Sequence, residues 1–152
     1  MSGKKYRQGV FALIIDSDDN ILLIQKSTYD AGQWTLIGGG RQEGETKQAN
    51  LFREINEETR LEADNFIMLG ESSSSHKYDY PRQLAMKLHG GKYVGQSYSI
   101  FALKLKSPKS LMKFNESEIS KSKWVPIREL DKYLNFPGQY RNIIRAVDEF
   151  VK

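Results

Sequence analysis

The 152-residue chain contains no cysteine. That removes disulfides, a thiolate nucleophile and Cys-ligated zinc from consideration. Long apolar runs are missing too. The longest unbroken one covers residues 10–15, far short of the roughly 20 residues that span a bilayer. The N-terminus, Met1-Ser2-Gly3-Lys4-Lys5, leads directly into a polar segment without a signal-peptide apolar stretch, so a cytoplasmic location is expected. No repeat or linker divides the chain, and its length is most simply one domain over residues 1–152. The excess is in positive charge, with 23 Lys and Arg against 19 Asp and Glu. Such a balance favours anionic partners such as polyphosphates, nucleotides or RNA, and it also serves plain solubility.

Patterning predicts strands at residues 10–15 and 21–24, joined by turn chemistry at Asp18-Asp19-Asn20. A short strand, Thr35-Leu36-Ile37, runs into Gly38-Gly39-Gly40, and residues 46–59 turn helical. Further strands are expected at 66–69, at 97–105 and around Trp124-Val125, with the polar run 72–75 as a mobile loop. Near the C-terminus Tyr140, Ile143, Ile144, Val147, Phe150 and Val151 form one helical apolar stripe. Strands, helix, strands and helix in that order predict an α+β fold, an α/β/α sandwich with a curved mixed sheet between helices.

The helix at 46–59 carries the chemistry. On a wheel of 100° per residue, Ala49, Phe52, Ile55 and Thr59 share one side, and Glu54, Glu57 and Glu58 share the opposite one. Adjacent carboxylates repel, by roughly 3 kcal/mol for a pair about 6 Å apart at an effective dielectric near 20. A bound divalent cation turns that repulsion into attraction, and hard oxygen ligands suit Mg²⁺. Alone, three glutamates so placed are more often a solvated acidic face, here beside Arg53 and Arg60. The preceding glycines, with Gly44 as a second permissive point, favour a ligand site, because they allow positive φ and close backbone approach ahead of an anion-friendly helix start.

Gly39, Glu45, Arg53, Glu54, Ile55, Glu57, Glu58 and Leu61 match the pattern G-x5-E-x7-R-E-U-x-E-E-x-G-U, with U apolar. The chain therefore resembles the Nudix hydrolase family. Six fixed identities would coincide by chance in on the order of one in 10⁵ chains of this length. The resemblance implies that Glu54, Glu57 and Glu58 hold Mg²⁺, for which Mn²⁺ can substitute, with the Gly38 carbonyl completing a metal site. It implies structural roles for Gly39, Glu45 and Arg53. Arg60 stands where the pattern has glycine, which should alter the helix exit, and Ile37 stands where many members have proline. Glu54 and Glu118 are the two candidates for general base, Glu118 because it precedes Trp124 by six residues.

That Glu-x5-Trp spacing, Tyr6-Arg7, the segment from His76 to Tyr80-Pro81, Gly95-Gln96 followed by Phe101, and Phe136 ahead of the last helix resemble the bacterial RNA 5′-pyrophosphohydrolase and diadenosine polyphosphate hydrolase subgroup. The resemblance implies substrate-binding roles for Arg7, Tyr78, Gln96 and Phe136, with Lys87 and Lys92 adding backbone attraction. It points to a 5′-phosphorylated RNA or nucleotide substrate, with no membrane and no obligatory protein partner. The segment Leu36-Ile37-Gly38-Gly39-Gly40 departs from the subgroup's Pro-Gln-Gly-Gly and leaves free nucleotides open: diadenosine polyphosphates, nucleotide sugars or damaged nucleoside triphosphates. A non-catalytic nucleotide- or RNA-binding module is the remaining alternative.

Overall fold

Tyr6–Ile15 forms strand β1, and its apolar run is buried on both faces. Val10, Ala12 and Ile14 point into one apolar layer, and Phe11, Leu13 and Ile15 into another. A strand covered on both sides needs no polar alternation, which explains its unbroken sequence. The computed structural model describes residues 5–151, so all but Lys5 of the polar N-terminal run lies outside the described residues. The other strands are β2 (Asn20–Lys26), β3 (Ile37–Gly40), β4 (Phe66–Asp79), β5 (Gly95–Leu105) and β6 (Ile119–Pro126). The helices are α1 (Lys47–Thr59), the short α2 (Arg82–Ala85) and α3 (Gln139–Phe150).

The sheet runs β4-β5-β1-β2-β6, and β3 also pairs with β1. β1 and β5 are parallel and the remaining pairs antiparallel, so the sheet is mixed. Leu51 and Ile55 of α1 pack into the layer with Val10, Ala12 and Ile14, whereas Ile143, Ala146 and Val147 of α3 pack into the layer with Phe11, Leu13 and Ile15. The two long helices therefore cover opposite faces, and the expected α/β/α layering is present. None of the described helices is long and apolar enough to cross a membrane.

Three local expectations are corrected. The polar run 72–75 is not a loop but part of β4, which extends far past residue 69. Glu149 of α3 accepts hydrogen bonds from the Ser72 hydroxyl and from the Ser73 backbone and hydroxyl. Those bonds satisfy a strand whose register against β5 is irregular between Glu71 and Ser75. The third strand begins at Ile37 and contains the glycines, with Thr35 held only by an isolated bridge to Ile24. On α1, Ala49 is exposed and Phe52 half-buried, while Asn50, Leu51, Ile55, Glu58 and Thr59 are buried. The helix is rolled so that its acidic edge meets β3 instead of standing wholly in solvent.

Arg60 does not change the helix exit in the way expected. It adopts the left-handed conformation of a glycine cap, with φ 66° and ψ 3°, and its N–H donates to the Asn56 carbonyl. A non-glycine residue there costs about 1 kcal/mol of backbone strain. Arg60→Gly is expected to stabilise the fold by about 0.5–1 kcal/mol, a rise of about 1–4 °C in Tm for a chain of this size. Thermal unfolding checks this, and a lowered midpoint would show that the arginine side chain contributes more than its backbone costs.

Candidate active site

Glycines 38–40 are extended within β3, and none has the positive φ expected of them; Gly44, at φ 81°, does. What the strand glycines provide is room. A Cβ at Gly39 would collide with the Glu54 carboxylate, and one at Gly40 with the Arg7 guanidinium. Bare backbone is therefore what lets an acid from α1 and a base from β1 lie against β3. The helix start plays no part in this cleft: its N-cap is Thr46, whose hydroxyl accepts from the Ala49 N–H at 3.1 Å. The carboxylates come from the C-terminal half.

The three glutamates differ sharply in environment. Glu57 is half exposed, with 51% of its side-chain surface accessible, while Glu54 retains 13%. Glu58 is buried, and its Oε2 accepts from the Gly38 N–H at 3.2 Å. Burial pushes the Glu58 carboxyl up to about 8, with Lys26 opposing and Glu54 and Glu118 adding to the rise. Burial also raises the Glu54 carboxyl, against the pull of the Arg53 guanidinium.

Arg53 organises the group. Its Nε and Nη2 donate to the two oxygens of Glu45 at 2.6 and 2.9 Å. Nη2 also reaches the Gly40 carbonyl at 2.9 Å, and Nη1 reaches Glu54 at 3.0 Å and Glu57 at 3.3 Å. The planar fork ties the loop before α1, the helix and β3 into one unit. Glu45 is held below the usual carboxylate range, first by its hydrogen bond from Arg53.

Glu54, Glu57, Glu58 and Glu118 line one cleft of about 370 Å³, together with Arg7, Lys26, Ser117 and the three glycines. Glu118 comes from the loop before β6, which is fastened to β2 by the Ser27 N–H donating to its carbonyl at 2.8 Å. A second cavity, of about 430 Å³, is lined by Phe11, Tyr29, His76, Tyr78, Tyr98 and Phe136 among others. Lys26 lines both, so the acidic cleft and the aromatic cavity adjoin. Gln96 lines neither. It is buried, and its Oε1 accepts from the Tyr80 hydroxyl at 2.8 Å.

Several residues of the site went unmarked in the sequence. Lys26 follows an apolar strand and looks like an ordinary strand end. Asn50 reaches the carbonyls of Gly39 and Gly40 at 3.4 and 3.2 Å, and its only signal was a polar residue inside an apolar face. Phe11 and Tyr98 stack at 3.9 Å between ring centroids, yet come from different strands.

The donor set is all oxygen, with no histidine or cysteine beside it, which fits a hard cation. Among the described residues no group of three or more Asp, Glu, His or Cys side chains is arranged to hold a metal ion. A cation held here would therefore have to take ligands from water and substrate oxygens as well as from the carboxylates.

The NUDIX domain family model matches residues 5–147. The chain belongs to the Nudix family. It is 28% identical to an RNA pyrophosphohydrolase of Novosphingobium aromaticivorans, over 98% of this chain and 94% of that protein. Against an RNA pyrophosphohydrolase of Erythrobacter litoralis the identity is 30%, over 94% and 88% respectively. Among solved structures, the E. coli dihydroneopterin triphosphate pyrophosphohydrolase superposes with a TM-score of 0.76 at 20% identity, covering 96% of this chain and 99% of that one. The last likeness shows a shared Nudix fold. Family and relatives together make this chain a pyrophosphohydrolase.

Proposed function

We propose that this Nudix enzyme is a Mg²⁺-dependent RNA 5′-pyrophosphohydrolase. The observation that carries the proposal is the pairing of an acidic cleft with an aromatic cavity across one shared lysine, Lys26. A polyphosphate needs the first and an unpaired base needs the second. The names of the relatives support RNA over other nucleotides, over nearly their whole lengths.

Glu54, Glu57 and Glu58, with the Gly38 carbonyl, would hold the metal. Once bound, it would neutralise charge on the phosphoryl oxygens and lower the pKa of a coordinated water. The chain's own groups bind and orient. Lys26, at the end of β2, and Arg7, near the start of β1, line the cleft from the open end of the β1–β2 hairpin and would attract the phosphate chain. Glu54 and Glu118, which both line the cleft, would be the carboxylates that take a proton from the attacking water. Tyr78 and Phe136 line the cavity where a base would stack. Phe136 is braced edge-on by Tyr29 at 5.3 Å, so it offers a fixed ring and loses little freedom on binding.

Turnover is expected to require a divalent cation and to vanish with excess chelator; full activity in chelator overturns the metal assignment. Phe136→Ala is expected to lower kcat/KM on a 5′-triphosphorylated oligonucleotide by about 1–3 kcal/mol, roughly five- to 150-fold. The loss should be much smaller on a diadenosine polyphosphate or a mononucleotide. An unchanged rate ratio between RNA and these small substrates would leave the family assignment standing and remove RNA as the substrate.

A further inference from the structure

Stacking recognises any base, because every base has a π-face. The aromatic cavity also carries a fixed directional donor. His76 of β4 is only 4% exposed and lines the cavity. Its ring lies near-parallel to Phe11 at 6.2 Å and tilted to Tyr78 at 5.9 Å. Its Nδ1 stands 3.0 Å from the Asn142 amide nitrogen on α3. An amide NH₂ can only donate, so Nδ1 is the acceptor and the proton of a neutral ring sits on Nε2.

We propose that His76, held in its Nε2–H form by Asn142, is a specificity-determining donor that reads the N7/O6 acceptor edge of a purine in this cavity. The inference rests on the nucleotide function proposed above. Most other polar groups around the cavity are already committed. The hydroxyls of Tyr29, Tyr78 and Tyr98 can each turn to donate or to accept, so they do not tell one base edge from another. The Gln139 side chain accepts from the Phe136 N–H at 3.1 Å and donates to the Trp34 carbonyl at 2.8 Å. Asp79 accepts from the Tyr6 hydroxyl at 2.6 Å, and Lys77 sits over the Tyr6 ring at 4.0 Å. Lys26 is shared with the acidic cleft. Among the described residues the Nε2–H of His76 has no partner. Burial lowers the pKa of this imidazole, so it is neutral and donates only from Nε2 at neutral pH.

A neutral, single-site donor discriminates by what faces it. Opposite a purine N7 or O6 it is satisfied. Opposite a base edge lacking that acceptor it loses a bond already given up to water, a difference of about tenfold in affinity. Asn142 acts as a positioning residue: it faces the ring and not the base.

The test is a cycle between substrate atoms and the side chain. Wild type and His76→Phe are compared on 5′-triphosphorylated oligonucleotides beginning with guanine, 7-deazaguanine or 2-aminopurine. Wild type is expected to lose about tenfold in kcat/KM with at least one analogue, chiefly through KM. His76→Phe is expected to be about tenfold slower on guanine and to lose nothing further with that analogue. Equal penalties in both proteins, or none in wild type, overturn the role. If no oligonucleotide is turned over, the RNA reading falls, and the same cycle with nucleoside triphosphates still tests His76. A separate readout needs no activity and no mutation at the site. Imidazole ¹⁵N NMR in a His89→Gln background, which leaves His76 as the one histidine of the two in the chain, should show protonated Nε2 and bare Nδ1 at pH 7. A proton on Nδ1 overturns the proposal.

Discussion

Glu58→Gln is expected to lower kcat by a hundredfold or more and, in the absence of metal at pH 8, to raise the melting temperature. Both effects have one origin. Glu58 is buried against β3, with its carboxyl raised to about 8 by desolvation and by neighbouring acids. A carboxyl with a native pKa above its unfolded value keeps its proton in the folded state after the unfolded chain has lost it. Between about pH 4.5 and 8 the native state therefore binds the extra proton, and stability falls as pH rises, by about 1.4 kcal/mol per unit at most. Glutamine retains an oxygen for the Gly38 N–H but carries no charge, so the decline should disappear.

A divalent cation acts on the same charge in the opposite direction. It would bind the ionised carboxylate and stabilise the fold by mass action, about 1.4 kcal/mol for each tenfold excess over Kd. Wild-type protein should gain more from Mg²⁺ at pH 8 than at pH 5, where protons compete. Glu58→Gln should gain little at either pH, and its kcat should fall because one of the charges that would hold the metal is missing. Melting curves across pH, with and without Mg²⁺, separate these claims from activity. A mutant with wild-type kcat, or with the wild-type pH decline, would remove Glu58 from the metal site.

This opposition between function and stability explains which parts of the site were legible in the sequence. The glutamate spacing is local, and a helical wheel recovers it. The wheel could not show that one of the three is buried, because burial depends on how α1 rolls against β3. The glycines were legible as unusual, but they were expected to act through positive φ and close backbone approach to a ligand, whereas their use is to admit the Glu54 and Arg7 side chains. The apolar run of β1 was legible as an unbroken stretch buried on both faces, and the stripe of α3 by its helical period. The aromatic cavity was only partly so. His76, Tyr78 and Phe136 stood out by resemblance, while Phe11, Tyr29 and Tyr98 come from separate parts of the chain that only the fold brings together. The serines of β4 looked like a loop because their partner, Glu149, lies in the last helix.

Arg53 is expected to show the second large effect without touching substrate. Neither it nor Glu45 lines the acidic cleft, yet its fork fixes Glu54 and Glu57 relative to the Gly40 carbonyl. Arg53→Ala leaves three acids without their shared cation. Breaking a buried pair costs about 3–5 kcal/mol, and the side-chain exposures here, 21% for Arg53 and 15% for Glu45, place this one toward the lower end. The Glu54 carboxyl, already raised by burial, would rise further once its cation is gone. Activity should therefore fall by a hundredfold or more, with part of the loss recovered at higher pH as the acids ionise. Arg53→Lys keeps the charge but supplies one point in place of a planar fork. It is expected to recover most of the stability and little of the kcat, because a single ammonium cannot hold Glu45 and Glu54 in register together. Glu45→Gln provides the control: it breaks the same fork from the side away from the cleft. If Arg53 acts by positioning, the losses in kcat for Arg53→Ala and Glu45→Gln should be strongly non-additive in the double variant. Additive losses, or near wild-type kcat in Arg53→Ala, would mean that α1 aligns its carboxylates without the fork.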